Sequence, residues 1–183
     1  ILIVFYGILF HMIIQPTKII PLLGIGHGMT VLDIGSSIGF WSKQIAEIVG
    51  MQGKVVAVDN HTEIIQRLNH DIKEFGLTNI HAITGDIHKL SEFPVKKDSC
   101  DKVLVIRMLS IIEDSLEQKV LELVEFTKED GNVIIIDAMH YKHEIESVLN
   151  KHTDSIVYQE IPEVAQRTDD YYFGISIGRI QIN

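Results

Sequence analysis

Three aspartates stand at or next to the ends of short apolar runs in the first half of the chain. These are Asp33, Asp59 and Asp86, and each run has the length of a buried strand. The runs are residues 31–34, 55–58 and 80–84. Because ligands of open parallel sheets bind at the carboxyl ends of the strands, we expect the three carboxylates to line one site. Carboxylates accept hydrogen bonds, so the pattern favours a ligand with hydroxyl or amino groups.

A glycine turn follows the first apolar run. Gly35 and Gly39 stand between that run and a helical pattern that places Trp41, Ile45 and Ile48 on one face. The pattern predicts a strand, a tight turn and a helix, whose free amide groups and positive end would face a polar or anionic ligand group. The same glycines would also serve an ordinary strand-to-helix turn.

Asp59 lies 20 residues after Gly39. An acid at the end of the second strand of a nucleotide-binding unit is placed to hold ribose hydroxyls. Asp59 would equally suit the cap of the following helix, and the two roles are compatible.

Strand and helix patterns alternate along most of the chain, which predicts an α/β fold with a mostly parallel sheet and helices on both faces. The helix at residues 63–75 would bury Leu68 and Phe75, and a helix capped by Asp114 or Ser115 would run to about residue 127. The other predicted helices cover residues 18–23 and the segment around 145–149. The later predicted strands are residues 102–106, 132–136, 155–161 and 171–182. With only a polar loop at 162–170 between them, the last two strands are expected to pair as an antiparallel hairpin.

Composition limits the class of protein. With 183 residues and 46% hydrophobic residues, the chain fits a single domain, residues 1–183. The net charge of −9 is unfavourable for a broad nucleic-acid surface, so no nucleic-acid partner is expected. The nine histidines show no ligand-like spacing, and no metal site is expected. The single cysteine, Cys100, excludes an internal disulfide and fits a cytoplasmic protein.

The first 23 residues are expected to form an apolar N-terminal arm or lid. Residues 1–14 are almost entirely apolar, but this stretch is shorter than the roughly 20 residues of a membrane-spanning helix. It also lacks the basic start of a signal peptide. No stable membrane span is therefore expected.

The spacing of the glycines helps to separate two nucleotide-type ligands. Counted from Gly35, the dinucleotide fingerprint G-x-G-x-x-G would place glycines at Ser37 and Phe40, and neither is glycine. The sequence instead has Asp33-x-Gly35-x-Ser37-x-Gly39. This pattern resembles the D/E-x-G-x-G-x-G first motif of class I S-adenosylmethionine-dependent methyltransferases, with Ser37 in place of the middle glycine.

Further segments resemble later motifs of the same family, in the same order along the chain. They are Val56-Ala57-Val58-Asp59, Gly85-Asp86-Ile87, Cys100-Asp101-Lys102-Val103-Leu104-Val105 and Glu129-Asp130-Gly131-Asn132-Val133. The resemblance covers residues 28–182. It implies a Rossmann-like, doubly wound sheet of seven strands that ends in an antiparallel hairpin, and S-adenosylmethionine as the cofactor. The general pattern is closest to small-molecule methyltransferases such as those of quinone biosynthesis.

The resemblance also implies roles for individual residues. Gly35, Ser36 and Ser37, in the turn closed by Gly39, would approach the methionine part of the cofactor, with Asp33 near its amino group. Asp59 would hold the ribose hydroxyls and Asn60 would lie near the adenine. Asp86 would accept from the adenine amino group, and the Ile87 backbone would contact the ring. Arg107 and Met108 would lie between the cofactor and the substrate.

The reaction implied is in-line transfer of a methyl group to a small, partly apolar molecule. Asp137 and His140, after the fifth strand, are the candidates for a general base if the acceptor must lose a proton. Two alternatives stay open at this stage. One is a non-catalytic binding module with the same fold, and the other is an NAD-dependent oxidoreductase.

Overall fold

A seven-stranded sheet forms the centre of the computed structural model, which describes residues 15–112, 115–168 and 172–179. The order of the strands is β3-β2-β1-β4-β5-β7-β6. The five strands β1 to β5 run parallel, and β7 lies antiparallel between β5 and β6. The strands are β1 Thr30–Ile34, β2 Lys54–Asp59, β3 Ile80–Thr84, β4 Cys100–Ile106, β5 Thr127–Ala138, β6 Ile156–Glu160 and β7 Tyr172–Arg179. The predicted Rossmann-like fold, including its terminal hairpin, is confirmed.

Helices cover both faces of the sheet because the strands have apolar residues on both sides. One face packs on α1, α2, α3 and α7, and the other packs on α4, α5, α6 and a 3-10 turn. The α-helices are α1 Pro16–Ile19, α2 Phe40–Val49, α3 Thr62–Glu74, α4 Leu109–Ile112, α5 Leu116–Val124, α6 Lys142–Leu149 and α7 Pro162–Arg167. The 3-10 turns are Ile20–Leu22, Ile87–Glu92 and Met139–Tyr141. In β1, Val31 packs toward α2 while Leu32 packs toward the opposite layer, as strand alternation requires.

Parallel register brings the carboxyl ends of the central strands to one edge. Ile34 of β1 pairs with Val58 of β2 and with Val105 of β4. Asp59 then pairs with Thr84 at the end of β3. Polar residues that follow these strands therefore share one edge of the sheet.

Three local predictions were wrong. Residues 162–167 form the helix α7 rather than a loop, although the flanking strands still pair antiparallel. The helix α5 ends at Val124, and β5 begins at Thr127, which pairs with Cys100 before the register shifts. Ile48 and Phe75 are not on buried faces, since 39% and 65% of their surfaces are exposed.

Some predicted features lie outside the described residues. They are most of the N-terminal arm, the cap at Asp114 and the ends of the last strand. From Pro16 onward, the rest of the arm is α1 followed by a 3-10 turn, and Ile19 and Ile20 are buried against α2 and the sheet. Within the described parts of the chain, none of the helices combines the length and apolar character needed to cross a membrane.

Gly39 is where the turn after β1 meets α3, and the substitution Gly39→Ala tests that contact. Its φ is +77°, and a Cβ there would lie 2.5 Å from Cδ1 of Leu68. We expect Gly39→Ala to lower the free energy of unfolding by about 3 kcal/mol, from left-handed strain plus overlap.

Denaturant titration measures the free energy of unfolding of each variant, and Gly76→Ala is the matched control. Gly76 also has a positive φ, +65°, but in the part of the chain that the structure describes no atom lies within 4 Å of its added Cβ. Only the backbone strain of about 1 kcal/mol applies there. Equal losses for the two variants would contradict the close contact between Gly39 and α3.

Candidate functional site

The turn after β1 is tied to the end of β2 by consecutive backbone amides. Gly35 and Ser36 both donate to the carbonyl oxygen of Val58, at 2.8 Å and 2.9 Å. Ser37 donates its amide to Oδ2 of Asp59 at 2.9 Å. These three N–H groups are therefore directed to β2, so the prediction that the turn offers its free amides to an anionic ligand is wrong for them. What Gly35 presents instead is a backbone without a side chain.

Ser37 stands where the family motif has its middle glycine. Its φ is +49°, a left-handed conformation that costs a non-glycine residue about 1 kcal/mol. The amide hydrogen bond to Asp59 accompanies this conformation, and the serine residue itself is exposed. The chain therefore keeps the backbone geometry of the motif with a serine in the middle position.

Of the three aspartates at this edge, Asp59 has the most hydrogen-bond contacts with the described residues. Its side chain is 10% exposed. Oδ1 lies 3.0 Å from both the backbone N and the ring Nδ1 of His61, while Oδ2 accepts from Ser37. A carboxylate has about four acceptor positions, so capacity for a further donor such as a hydroxyl group remains.

Asp86 has a capping role beside the same edge. Its side chain accepts a hydrogen bond from the amide of His88 at 3.0 Å, which begins the 3-10 turn. The preceding Gly85 lies so close to its neighbours that an added Cβ would be 2.8 Å from Val58 and 2.9 Å from Phe93. This close packing places Ile87 against the end of β2.

A cavity of about 120 Å³ lies at this edge. Four of the predicted cofactor residues line it, namely Gly35, Asp59, Asn60 and Ile87. Met108 and Ile111 form the opposite wall. The residues fit the adenosyl and methionyl groups of the expected cofactor in three respects: an acidic acceptor, a glycine surface and apolar flanks. The hydroxyl group of Ser36, buried without a hydrogen-bond partner among the described residues, adds a polar atom in the turn.

Asp33 is brought to a different environment from Asp59. It is 2% exposed, and Oδ2 accepts a hydrogen bond from the hydroxyl of Ser42 on α2 at 2.5 Å. Burial raises the pKa of Asp33 to about 6, and the nearby charge of Asp59 adds to this rise while the Ser42 hydrogen bond opposes it. Asp33 does not line the cavity, and Ser42 is a partner that sequence reasoning missed.

The candidate bases after β5 also differ from one another. Asp137 is 3% exposed, and its oxygens accept from the amides of Leu109 at 3.0 Å and Ala138 at 2.7 Å. Burial raises the pKa of Asp137, against the lowering effect of those two hydrogen bonds. His140 is exposed, with its ring centroid 4.0 Å from that of Tyr141. Arg107, directly after β4, is exposed, and its backbone is left-handed with a φ of +57°.

A larger cavity, of about 550 Å³, lies elsewhere on the sheet. Lys102, Asn132 and Ser176 line it, together with residues of β6, and it contains none of the predicted site residues. It is therefore separate from the candidate cofactor site. Within residues 15–112, 115–168 and 172–179, no group of three or more His, Cys, Asp or Glu side chains is arranged to hold a metal ion.

Comparison with known proteins assigns the family. A family model described as a methyltransferase domain matches residues 25–173, which is well over half of the chain. The chain belongs to this methyltransferase family. The predicted class I S-adenosylmethionine-dependent family is confirmed, and with it S-adenosylmethionine as the expected cofactor.

Individual relatives vary in how much of their length the match spans. Ribosomal RNA large subunit methyltransferase E of Wigglesworthia glossinidia brevipalpis is 29% identical over 164 residues, which covers 81% of this chain and 75% of that protein. Protein-L-isoaspartate O-methyltransferase 2 of Archaeoglobus fulgidus is 34% identical over 84 residues, covering 46% of this chain and 37% of the relative. The chain thus matches little more than a third of that relative.

A solved structure shows the same architecture. The crystal structure of a SAM dependent methyltransferase from Aquifex aeolicus superposes with a TM-score of 0.74. It covers 91% of this chain and 90% of that one, at 21% sequence identity. At this identity the likeness establishes the fold.

The raised pKa of Asp33 predicts a specific pH dependence of stability. The folded state holds the proton up to about pH 6, whereas an unfolded aspartate loses it near pH 3.8. Stability from this group is therefore full below pH 3.8 and is lost as the pH rises through 6. We expect Asp33→Asn, which keeps an acceptor for Ser42, to gain about 2 kcal/mol relative to the wild type between pH 4 and pH 7.

Denaturant titrations of both proteins across this range check the expectation, and Asp71→Asn is the control. A hydrogen bond from Lys43 lowers the pKa of Asp71, so this carboxyl is largely charged in both the folded and the unfolded state above pH 4. The stability difference between Asp71→Asn and the wild type should therefore stay nearly constant between pH 4 and pH 7. A constant difference between Asp33→Asn and the wild type would show that Asp33 ionises normally.

Proposed function

We propose that this chain transfers a methyl group from S-adenosylmethionine to a small, partly apolar acceptor. The observation that carries the proposal is the grouping of Gly35, Asp59, Asn60 and Ile87 around one cavity at the carboxyl edge of the sheet. Asp59 and Asn60 would bind the ribose and adenine parts, Ile87 would pack on the base, and Gly35 would admit the methionine part. When bound, the cofactor supplies an activated methyl group for in-line displacement.

The hydrogen bonds of the turn support this cofactor over a dinucleotide. A dinucleotide fold binds pyrophosphate with the backbone amides of its glycine turn. Here the amides of Gly35, Ser36 and Ser37 are all bonded to β2. An uncharged nucleoside face and a sulfonium group need no such amide cluster, so the methyl donor fits this turn better than NAD does.

The mouth of the site favours an acceptor with an apolar part. Ile111 lines the cavity and is 50% exposed. Large aliphatic side chains at this exposure provide contact area for an apolar ligand. The net charge of −9 remains unfavourable for RNA. The relatives named for isoaspartate and ribosomal RNA make protein and RNA acceptors the competing outcomes of the test.

Positioning is the main task of the protein in this reaction. Because the methyl group is already activated, holding donor and acceptor in line supplies most of the rate enhancement. If the acceptor must lose a proton, His140 is the better placed of the two candidate bases, since it is exposed at the edge while Asp137 is buried and bonded to two amides. Substitution of His140 would then reduce turnover without weakening cofactor binding.

The first test is calorimetric titration with S-adenosylmethionine, S-adenosylhomocysteine and NADH. We expect both sulfur nucleosides to bind and NADH not to bind. Asp59→Asn should weaken their binding by 10- to 100-fold, which corresponds to about 1.5–3 kcal/mol for a hydrogen bond to a charged group. Asp71→Asn is the matched control, because Asp71 pairs with Lys43 at 2.6 Å and does not line the cavity, so the affinity should not change.

Binding of NADH alone would favour the oxidoreductase, and binding of none of the three would contradict the cofactor site.

Transfer of a labelled methyl group then separates the acceptor classes. Small aromatic and isoprenoid molecules, damaged protein and ribosomal RNA are offered in parallel. Labelling of only the protein or RNA would refute the small-molecule acceptor, and cofactor binding without any transfer would favour the non-catalytic module.

A further inference from the structure

The segment after β4 is attached to the end of β5 at two points. The amide of Arg107 donates to the carbonyl oxygen of Ile136 at 2.8 Å. The amide of Leu109 donates to Oδ2 of Asp137 at 3.0 Å. Between these two bonds the left-handed Arg107, with its φ of +57°, turns the chain out of the strand. The path of the backbone at Met108 is therefore set from both sides by β5.

Packing of α4 determines which side chains of this segment reach the cavity. Leu109 and Ile112 are 1% and 0% exposed and belong to the core under the sheet. Met108 and Ile111 line the cavity instead. Because Leu109 is both buried and bonded to Asp137, the orientation of its neighbour Met108 is coupled to that carboxylate.

Met108 covers the glycine turn directly. A Cβ built on Gly35 would lie 2.5 Å from Sδ of Met108 and 3.1 Å from its Cγ. The cavity beside this contact has only about 120 Å³. Sites that bind small organic molecules usually enclose roughly 300–1,000 Å³. The thioether thus occupies the glycine surface that the cofactor needs.

A methionine is suited to leave such a position. Its three rotatable bonds and polarisable sulfur let the side chain move while the backbone stays in place. The backbone at this point is held by buried groups, since Asp137 is 3% exposed and both of its oxygens accept amide hydrogen bonds.

We propose that Met108 is a movable cover of the cofactor site and that Asp137 is the positioning residue that fixes the backbone from which it moves. The proposal rests on the proposed function, because it identifies the cavity as the cofactor site. Asp137 acts through the amide of Leu109 and touches neither donor nor acceptor. In the absence of ligand, the side chain of Met108 closes the bare surface of Gly35, and it swings aside when the site fills.

The test uses the full chain and S-adenosylhomocysteine as the probe, with association measured by stopped flow and affinity by calorimetry. Met108→Ala removes the cover, so association should become at least fivefold faster, because the closed conformation no longer reduces the competent fraction. Met51→Ala is the matched control, since Met51 is 76% exposed and outside the cavity, and it should associate at the wild-type rate. If Met108→Ala associates with S-adenosylhomocysteine at the wild-type rate, Met108 does not cover the site.

Asp137→Asn tests the positioning role with a readout that needs no ligand. Hydrogen exchange at the amide of Leu109 should become at least tenfold faster, and the affinity for the probe should fall about tenfold. In the Met108→Ala background the same substitution should weaken binding threefold or less, because the side chain that it positions is gone. Equal losses in both backgrounds, or unchanged exchange at Leu109, would overturn the role of Asp137.

The outcome for the wild type separates this proposal from the proposed function. A wild-type protein that binds neither sulfur nucleoside refutes the cofactor site itself. A wild-type protein that binds, with Met108→Ala and Asp137→Asn unchanged, refutes only the cover and its anchor. If Asp137→Asn does not fold, the association rates of Met108→Ala and Met51→Ala still decide whether Met108 is the cover.

Discussion

The candidate site depends on three consecutive amides that bond the turn after β1 to the end of β2. Gly35 and Ser36 donate to one carbonyl oxygen, that of Val58, and Ser37 donates to the carboxylate of Asp59. These bonds place the backbone of Gly35, which has no side chain, beside an acid that can still accept a hydrogen bond from a hydroxyl group. They also use the amides with which a dinucleotide-binding turn would hold phosphate. The site consequently suits a nucleoside ligand without a pyrophosphate group.

Three acids that look equivalent along the chain have different physical states at one sheet edge. Asp33, in β1, is buried and accepts a hydrogen bond from Ser42 of α2, and its raised pKa reflects that burial. Asp59 is held by two backbone amides and by the ring of His61. Asp86 caps a 3-10 turn. Desolvation and hydrogen bonding, rather than residue type, therefore give these aspartates different roles. Asp33 joins β1 to α2, and Asp59 can accept a further hydrogen bond from a ligand in the cavity.

The opposite wall of the site comes from β4 and β5. Hydrogen bonds to Ile136 and Asp137 fix the backbone at residues 107–109. As a result, the side chain of Met108 faces Gly35. The two walls thus differ in character. The wall from β1 and β2 is held by backbone hydrogen bonds, whereas the one from β4 presents apolar side chains on an anchored backbone. If Met108 moves as proposed, the cavity would change volume without altering the polar groups that would hold the ribose.

By itself, the sequence determined the order and type of most elements and the edge at which the acids meet. Apolar runs, glycine turns and helical periodicity are local signals, and parallel strands align their carboxyl ends whatever the details of packing. The ordered set of family-like motifs also predicted four residues of the cavity, Gly35, Asp59, Asn60 and Ile87. Local signals were insufficient for α7, whose six residues are too short for a clear helical period.

Only the tertiary structure decided what each side chain does. Three contacts show this. The hydroxyl of Ser42 donates to Asp33, 9 positions away, and the amide of Leu109 donates to Asp137, 28 positions away. The side chain of Met108 lies on Gly35, 73 positions away. No periodicity records such contacts, because they depend on how helices and loops pack on the sheet. Burial and the supply of amide donors, which set the pKa of an acid and its access to a ligand, exist only once the chain has folded.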